Sequence, residues 1–251
     1  MDHYDFISIG GGPAGQSAAE LATLFGHRAL VVERHVLGGV VVTSAGIPTK
    51  TLREAALHIT GFRARDVYGL SFTDEPCLVL ERLRHRTREV MTEVQAAVRS
   101  SFAAHGIDVL YGTARLGPNR TVVVTPRDAG PTRSISADVV LIATGSEPLR
   151  PPGIPFDDPG VFDSEGLLGL QQLPASVMVV GGGPTGCEYA SIFTALGARV
   201  TLVDAADRLM PIMDAELSRL ATQVFERQAC GCCAAPVSPR SGGARQVSKS
   251  S

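Results

Sequence analysis

The sequence predicts an α/β protein of two tandem strand–turn–helix–strand folds, the second incomplete, and three observations carry that prediction. A segment at residues 5–33 recurs at 176–204 with its landmarks at one constant offset. Each copy places a Gly-x-Gly-x-x-Gly turn between an apolar run and an Ala-rich stretch. Each then closes on a second apolar run ending in a carboxylate, Glu33 in the first copy and Asp204 in the second.

The first copy reads as a strand into Gly10, Gly12 and Gly15, a helix ending near Gly26, and a strand ending at Glu33. A helix follows from about Thr49 to Gly61, and a longer one from Glu75 to Ala104. The second carries Arg82, Arg84, Arg86 and Arg88, read as a solvated face rather than a binding patch. Strand-like segments come next at Asp108–Tyr111, Thr121–Thr125 and Val139–Ala143, then a Pro-rich connector from Glu147 to Pro159. The second copy repeats the turn with Gly181, Gly183 and Gly186. The expected organisation is a first nucleotide fold over 1–150, an incomplete second over 151–228, and a disordered tail over 229–251.

These residue types at this spacing suit a dinucleotide. The first glycine permits a tight turn, the second lets the backbone approach a pyrophosphate, and the third lets the helix pack on the strand. Unpaired N–H groups and the helix dipole hold phosphate at the helix start. A carboxylate eighteen residues after the last glycine accepts hydrogen bonds from the adenosine ribose. Two Rossmann-like dinucleotide-binding folds are therefore expected. Asp204 favours the free ribose hydroxyl of NAD and repels the extra phosphate of NADP; Arg208, four residues on, reads as a surface arginine, with an offset of that repulsion as the alternative.

Composition narrows the classes. Among 251 residues, 23 basic and 25 acidic side chains leave a net charge of −2, which provides no broad field for nucleic acid or an anionic membrane. No apolar run is long enough to span a bilayer, and the N-terminus enters a strand pattern at once, so a cytoplasmic protein without a signal peptide is expected. Cys77 and Cys187 are isolated, while Cys230, Cys232 and Cys233 crowd the tail without a following His, so neither a disulfide framework nor a metal site is expected.

In its motifs the chain resembles the pyridine nucleotide-disulfide oxidoreductase family from Tyr4 to about Gln228. The resemblance rests on GGGPAG with Glu33, LGG at 37–39, IPTK at 47–50, DVVLIATGSEP at 138–148 and GGGPTGCEYA at 181–190. It implies FAD in the first fold, held by Gly10, Gly12, Pro13, Ala14, Gly15, Glu33, Arg34, Gly38, Gly39, Lys50, Ala143, Thr144 and Gly145. It implies NAD(P) in the second, held by Gly181, Gly183, Pro184, Thr185, Gly186, Glu188 and Asp204. Lys50 and Glu188 match the family's flavin-side lysine and its paired glutamate, and both are implied to be catalytic.

The family's two redox cysteines fall at Val41 and Gly46, and neither can form a thiolate, so dithiol chemistry is excluded. TKTLREAAL at 49–57, DVYGLSF at 66–72 and GCEYASIF at 186–193 are similar to the transhydrogenase branch. That branch implies hydride transfer between NADPH and NAD through flavin. The alternatives are an NAD(P)H-dependent flavoenzyme with a quinone or other small acceptor, and a non-catalytic nucleotide-binding fragment. Partners are expected to be small-molecule nucleotides, with no nucleic acid and no membrane. Family chains are longer and homodimeric, and this sequence lacks their dimerisation domain. Read two nucleotides later, the codons of Gln228–Cys233 encode an apolar strand pattern, so the tail reads as a frameshift product, with a natural Ser/Pro/Gly-rich tail as the alternative. An incomplete second sheet predicts weak stability and loose flavin binding.

Overall fold

A computed structural model describes residues 2–61, 76–227 and 231–234. The chain divides into two compact units between Leu173 and Pro174, downstream of the boundary expected at residue 150.

In the first unit, β1 (His3–Ile9) leads through the glycine turn into α1 (Pro13–Leu24), and β2 (Ala29–Glu33) returns parallel to β1. Then come the short α2 (Gly39–Thr43), α3 (Ile47–Thr60) and α4 (Pro76–Ala104). Pro13 and Pro48 sit in the first turns of their helices, where no intrahelical N–H is needed. β3 (Asp108–Leu116), β4 (Thr121–Pro126) and β5 (Arg133–Ile142) follow.

β3 and β5 are longer than their sequence patterns because each changes partner midway. β3 runs parallel to β2 over Asp108–Tyr111, then pairs antiparallel with β4 over Gly112–Leu116. β5 pairs antiparallel with β4 over Arg133–Ser136, then parallel with β1 through Ile142. The expected strand at Asp108–Tyr111 is thus only the sheet-core half. The outer half lacks the apolar run that announces a strand. The result is a parallel sheet in the order β3-β2-β1-β5, closed by β4 into a five-stranded barrel.

Strand alternation places two cores on the two faces of this sheet. Inside the ring, Ile7, Ile9, Leu30, Val32, Val122, Val124, Ile135 and Ala137 pack together, with Tyr4 at one end. On the outer face, Ala29 and Val31 meet Ala19 of α1 and Val98 and Phe102 of α4. Each wholly buried Ile, Leu or Val contributes about 1.5–3 kcal/mol.

The second unit runs β6 (Ser176–Val180), α5 (Pro184–Ala195), β7 (Arg199–Asp204), α6 (Ala215–Arg227) and β8 (Gly231–Ala234). Its three strands form a parallel sheet in the order β6-β7-β8. α5 lies against β6 and β7, with Ala190, Ile192 and Phe193 buried alongside Val200 and Leu202. Met178 and Val180, on the other face of β6, are 69% and 71% exposed.

β8 corrects the expectation that residues 229–251 are wholly irregular. Main-chain pairing of Gly231–Ala234 with Thr201–Asp204 makes a strand where the side chains carry no alternating pattern, because a neighbouring strand outweighs propensity. The rest of that tail, 229–230 and 235–251, lies outside the described residues, as do Asp66–Phe72 of the DVYGLSF segment. No helix among the described residues is long and apolar enough to cross a membrane.

Candidate functional site

The first glycine turn is shaped by close backbone approaches. Gly10 has φ +111°, and a Cβ there would lie 2.1 Å from Ala143 O. Ala143 N–H donates to Ile9 O at 2.8 Å, so the segment 143–145 is tied across the end of β1. A Cβ on Gly15 would lie 2.0 Å from Gly10 O, so only glycine lets α1 start this close to the strand. Gly39, at φ +57°, comes so near Gly12 that a Cβ on it would stand 2.9 Å from Gly12 Cα.

Gly12 is the N-cap of α1 and has no side-chain cap, which leaves the first-turn N–H groups of Ala14 and Gly15 directed outward. Pro13 and Ala14 are exposed. Glu33 is 8% exposed and accepts from Gly11 N–H at 2.7 Å and from His35 N–H at 2.7 Å. Arg34, beside it, is exposed and pairs with Glu147 at 3.2 Å. Gly38 N–H donates to Gly11 O at 2.8 Å, tying α2 to the turn. Thr144 and Gly145 are exposed, and Gly145 has φ +75°.

The second turn repeats this wiring. Gly181 has φ +113°, and its N–H donates to Val203 O as that of Gly10 does to Val32 O. A Cβ on Gly186 would lie 1.8 Å from Gly181 O. Gly183 caps α5 without a side-chain bond, leaving the N–H groups of Thr185 and Gly186 at the open end, beside an exposed Pro184. Asp204 accepts from Gly182 N–H and, at 2.6 Å, from Ala206 N–H. Arg208 donates to Pro211 O at 3.1 Å, within its own loop.

Sequence reasoning missed Gly11 and Gly182, whose N–H groups hold the two carboxylates. The signal was present: each copy has three consecutive glycines, and only two belong to the Gly-x-Gly-x-x-Gly pattern.

The structure brings Val41 and Gly46 together. Val41 lies on α2 and Gly46 caps α3, and a Cβ on Gly46 would fall 2.8 Å from Val41 Cγ1. Between them, Ser44 is 6% exposed and donates to Glu165 at 2.8 Å. Glu165 N–H in turn donates to Asp163, which also accepts from Gly166 N–H at 2.7 Å and pairs with Arg150 at 2.6 Å. The Gly166 bond holds the Asp163 carboxyl below its usual range, aided by Arg150. Lys50 is exposed on α3, its ammonium 3.5 Å from Thr49 Oγ1, while Glu188 belongs to the second unit, half-buried on α5.

A profile of the pyridine nucleotide-disulphide oxidoreductases matches residues 4–231, which include both glycine turns. The chain belongs to this family. It is 39% identical to a soluble pyridine nucleotide transhydrogenase of Mycobacterium bovis over 218 residues, 86% of this chain and 47% of that protein. It is 36% identical to a dihydrolipoyl dehydrogenase of Bacillus subtilis over 219 residues, 87% of this chain and 47% of that one. Among solved structures, LpdA of Mycobacterium tuberculosis superposes with a TM-score of 0.81 at 26% identity, over 93% of this chain and 51% of that chain. The HOCl-induced flavoprotein disulfide reductase RclA of Escherichia coli, solved as a Cu(II) complex, superposes with a TM-score of 0.77 at 28% identity, over 93% and 49%. The chain therefore spans about half the length of the curated relatives it matches. The family uses FAD and NAD(P)H, and the α/β architecture of two Rossmann-like folds is the one it shares with these flavoproteins.

Proposed function

We propose that this chain is the nucleotide-binding portion of an FAD-dependent NAD(P) oxidoreductase of the transhydrogenase kind. In this reading hydride passes between NADPH and NAD through flavin, and no redox disulfide takes part. The observation that carries it is the pair Val41 and Gly46, adjacent in space and without sulfur, in a chain 39% identical to a transhydrogenase.

The residues present fit a flavin dinucleotide. The uncapped start of α1 offers the N–H groups of Ala14 and Gly15 to a phosphate, and Gly12 and Gly39 keep side chains out of its path. Glu33 spends one lone pair of each oxygen on backbone N–H groups and keeps the others for ribose hydroxyls. Gly38, Ala143 and Thr144 lie against the same turn, with Arg34 and Gly145 next to them in sequence as further candidates. Bound FAD supplies reversible two-electron hydride acceptance from a dihydronicotinamide. Lys50 contributes a cation on the flavin side and so favours an anionic reduced ring. Val41 presents an apolar side chain where a thiolate would otherwise stand. In the second unit, Thr185 and Gly186 offer N–H groups to the nicotinamide dinucleotide, and Asp204 favours NAD over NADP at that turn.

The test is the visible spectrum of the purified chain during anaerobic addition of NADPH and then NAD. A flavin band that bleaches with NADPH and returns with NAD is expected. A return only with a quinone would replace the transhydrogenase reading with that of a small-acceptor flavoenzyme. A bound flavin indifferent to both nucleotides would mean nucleotide binding without catalysis.

A further inference from the structure

At the end of β1 remote from the glycine turn, two imidazoles and two carboxylates converge. His3 and Asp5 are two residues apart on β1 and so leave the strand on one face. β5 runs parallel beside it with Ser136 paired to His3, which sets Asp138 next to Asp5. One nitrogen of His3 and one carboxylate oxygen from each of Asp5 and Asp138 lie within 4.8 Å of one another. His27, just ahead of β2, brings Nδ1 to 3.9 Å from Asp5 Oδ2.

The neighbours orient these groups. Ser136 Oγ donates to Asp2 O at 3.4 Å and lies 3.1 Å from His3 Nδ1. His3 Nε2, the other ring nitrogen, is 3.5 Å from Asp138 Oδ2. Arg28 N–H fixes Asp5 at 2.6 Å, while its guanidinium lies over the Tyr4 ring and against Asp108. Arg133 is engaged by Asp2. A polar neighbour on one imidazole nitrogen, with the other facing a carboxylate, is an arrangement that metal-binding histidines adopt.

We propose that His3, Asp5 and Asp138, with His27, bind one divalent transition-metal ion of the zinc class. Imidazole nitrogen with carboxylate oxygen, and no thiolate, is a donor set that suits zinc, cobalt and nickel. Drawing the 4.8 Å cluster in to metal–ligand distances near 2.1 Å needs only rotamer adjustment of exposed side chains on paired strands. The ion is structural: it clamps β1 to β5 and to the entry of β2, far along β1 from the nucleotide turn.

The probe is Co2+, titrated into the full chain with Cys230, Cys232 and Cys233 replaced by Ser, so that tail thiols cannot compete. A saturable 1:1 ligand-field spectrum without thiolate charge-transfer bands is expected, with a higher melting temperature. H3A or D138N should weaken binding about tenfold or more, while H58A, a histidine elsewhere on the surface, should leave it unchanged. Metal-free melts of the variants equal to the parent show that folding is intact. Absent saturation, or equal affinity in H3A, D138N and the parent, would reduce the cluster to an ordinary histidine–aspartate ion pair.

Discussion

The two glycine turns are wired alike through their carboxylates yet sit in unlike surroundings. In both, the first glycine takes φ near +110°, the glycine right after it (Gly11, Gly182) donates to the acid, and the helix start remains uncapped. Around the first, Ala143 crosses Gly10, and Gly38 and Gly39 bring α2 against the turn. Around the second, nothing among the described residues lies within 4 Å of a Cβ on Gly181, and the place of Gly38 is taken by Met210 at φ +48°, whose N–H donates to Gly182 O at 2.7 Å. The motif thus encodes its own hydrogen bonds, while the enclosure comes from elements distant in sequence. Equal motifs do not make equally built sites.

The largest effect should come from adding a methyl group to the first glycine of each turn. G10A combines a left-handed backbone with a clash against Ala143 O, an expected loss of about 3 kcal/mol or more. G181A meets only the backbone strain, about 1–2 kcal/mol. Urea unfolding of both variants measures the contrast. Equal losses would show that surroundings contribute nothing and that the turn alone sets the cost.

The carboxylates come next. E33Q replaces a buried anion that accepts two backbone N–H bonds with an amide whose NH2 must face one of those donors. A loss of about 1.5–3 kcal/mol is expected. D204N makes the same exchange at a half-exposed site, where water relieves the mismatch, and about 1 kcal/mol is expected. A larger loss for D204N in the same unfolding assay would invert the ranking by burial.

How far the sequence revealed this comparison follows from what each residue depends on. Gly10, Gly15, Gly181 and Gly186 are legible because the repeat shows them and only glycine serves there. The barrel closure was not legible: Gly112–Leu116 and Arg133–Ser136 become strands through a partner change that leaves no apolar period. β8 was missed for the same reason, being held by main-chain pairing to β7. The convergence of Val41 on Gly46 was legible as a missing cysteine pair but not as a contact, since contact depends on how α2 meets α3. Gly11 and Gly182 are not legible from the Gly-x-Gly-x-x-Gly spacing, which does not include them.

Two left-handed positions, one in each loop, refine the contrast. M210G removes a side chain from a left-handed position and should be neutral to stabilising, by up to about 1 kcal/mol. G39M imposes that side chain where Gly12 Cα is 2.9 Å from the new Cβ and should destabilise by about 2 kcal/mol. If G39M melts like the parent, the approach of α2 to the first turn is loose and the enclosure argument fails.

The smallest effect expected is a pH dependence confined to the first unit. Asp163 orders the turn that holds Glu165 against Ser44, between Val41 and Gly46. Its folded carboxyl is held below the unfolded value, chiefly by Gly166 N–H. Its contribution to stability is therefore complete above the unfolded carboxylate range and is lost as pH falls through the lower folded value. D163N removes the titrating group while keeping an acceptor for Gly166, so the gap in stability between parent and D163N should be constant near pH 7 and close as the solution is acidified. Denaturant melts across that range read the gap directly. A gap that stays constant on acidification would mean that the bond survives protonation, and that the segment anchoring Ser44 is held by Arg150 packed on Phe156 rather than by charge.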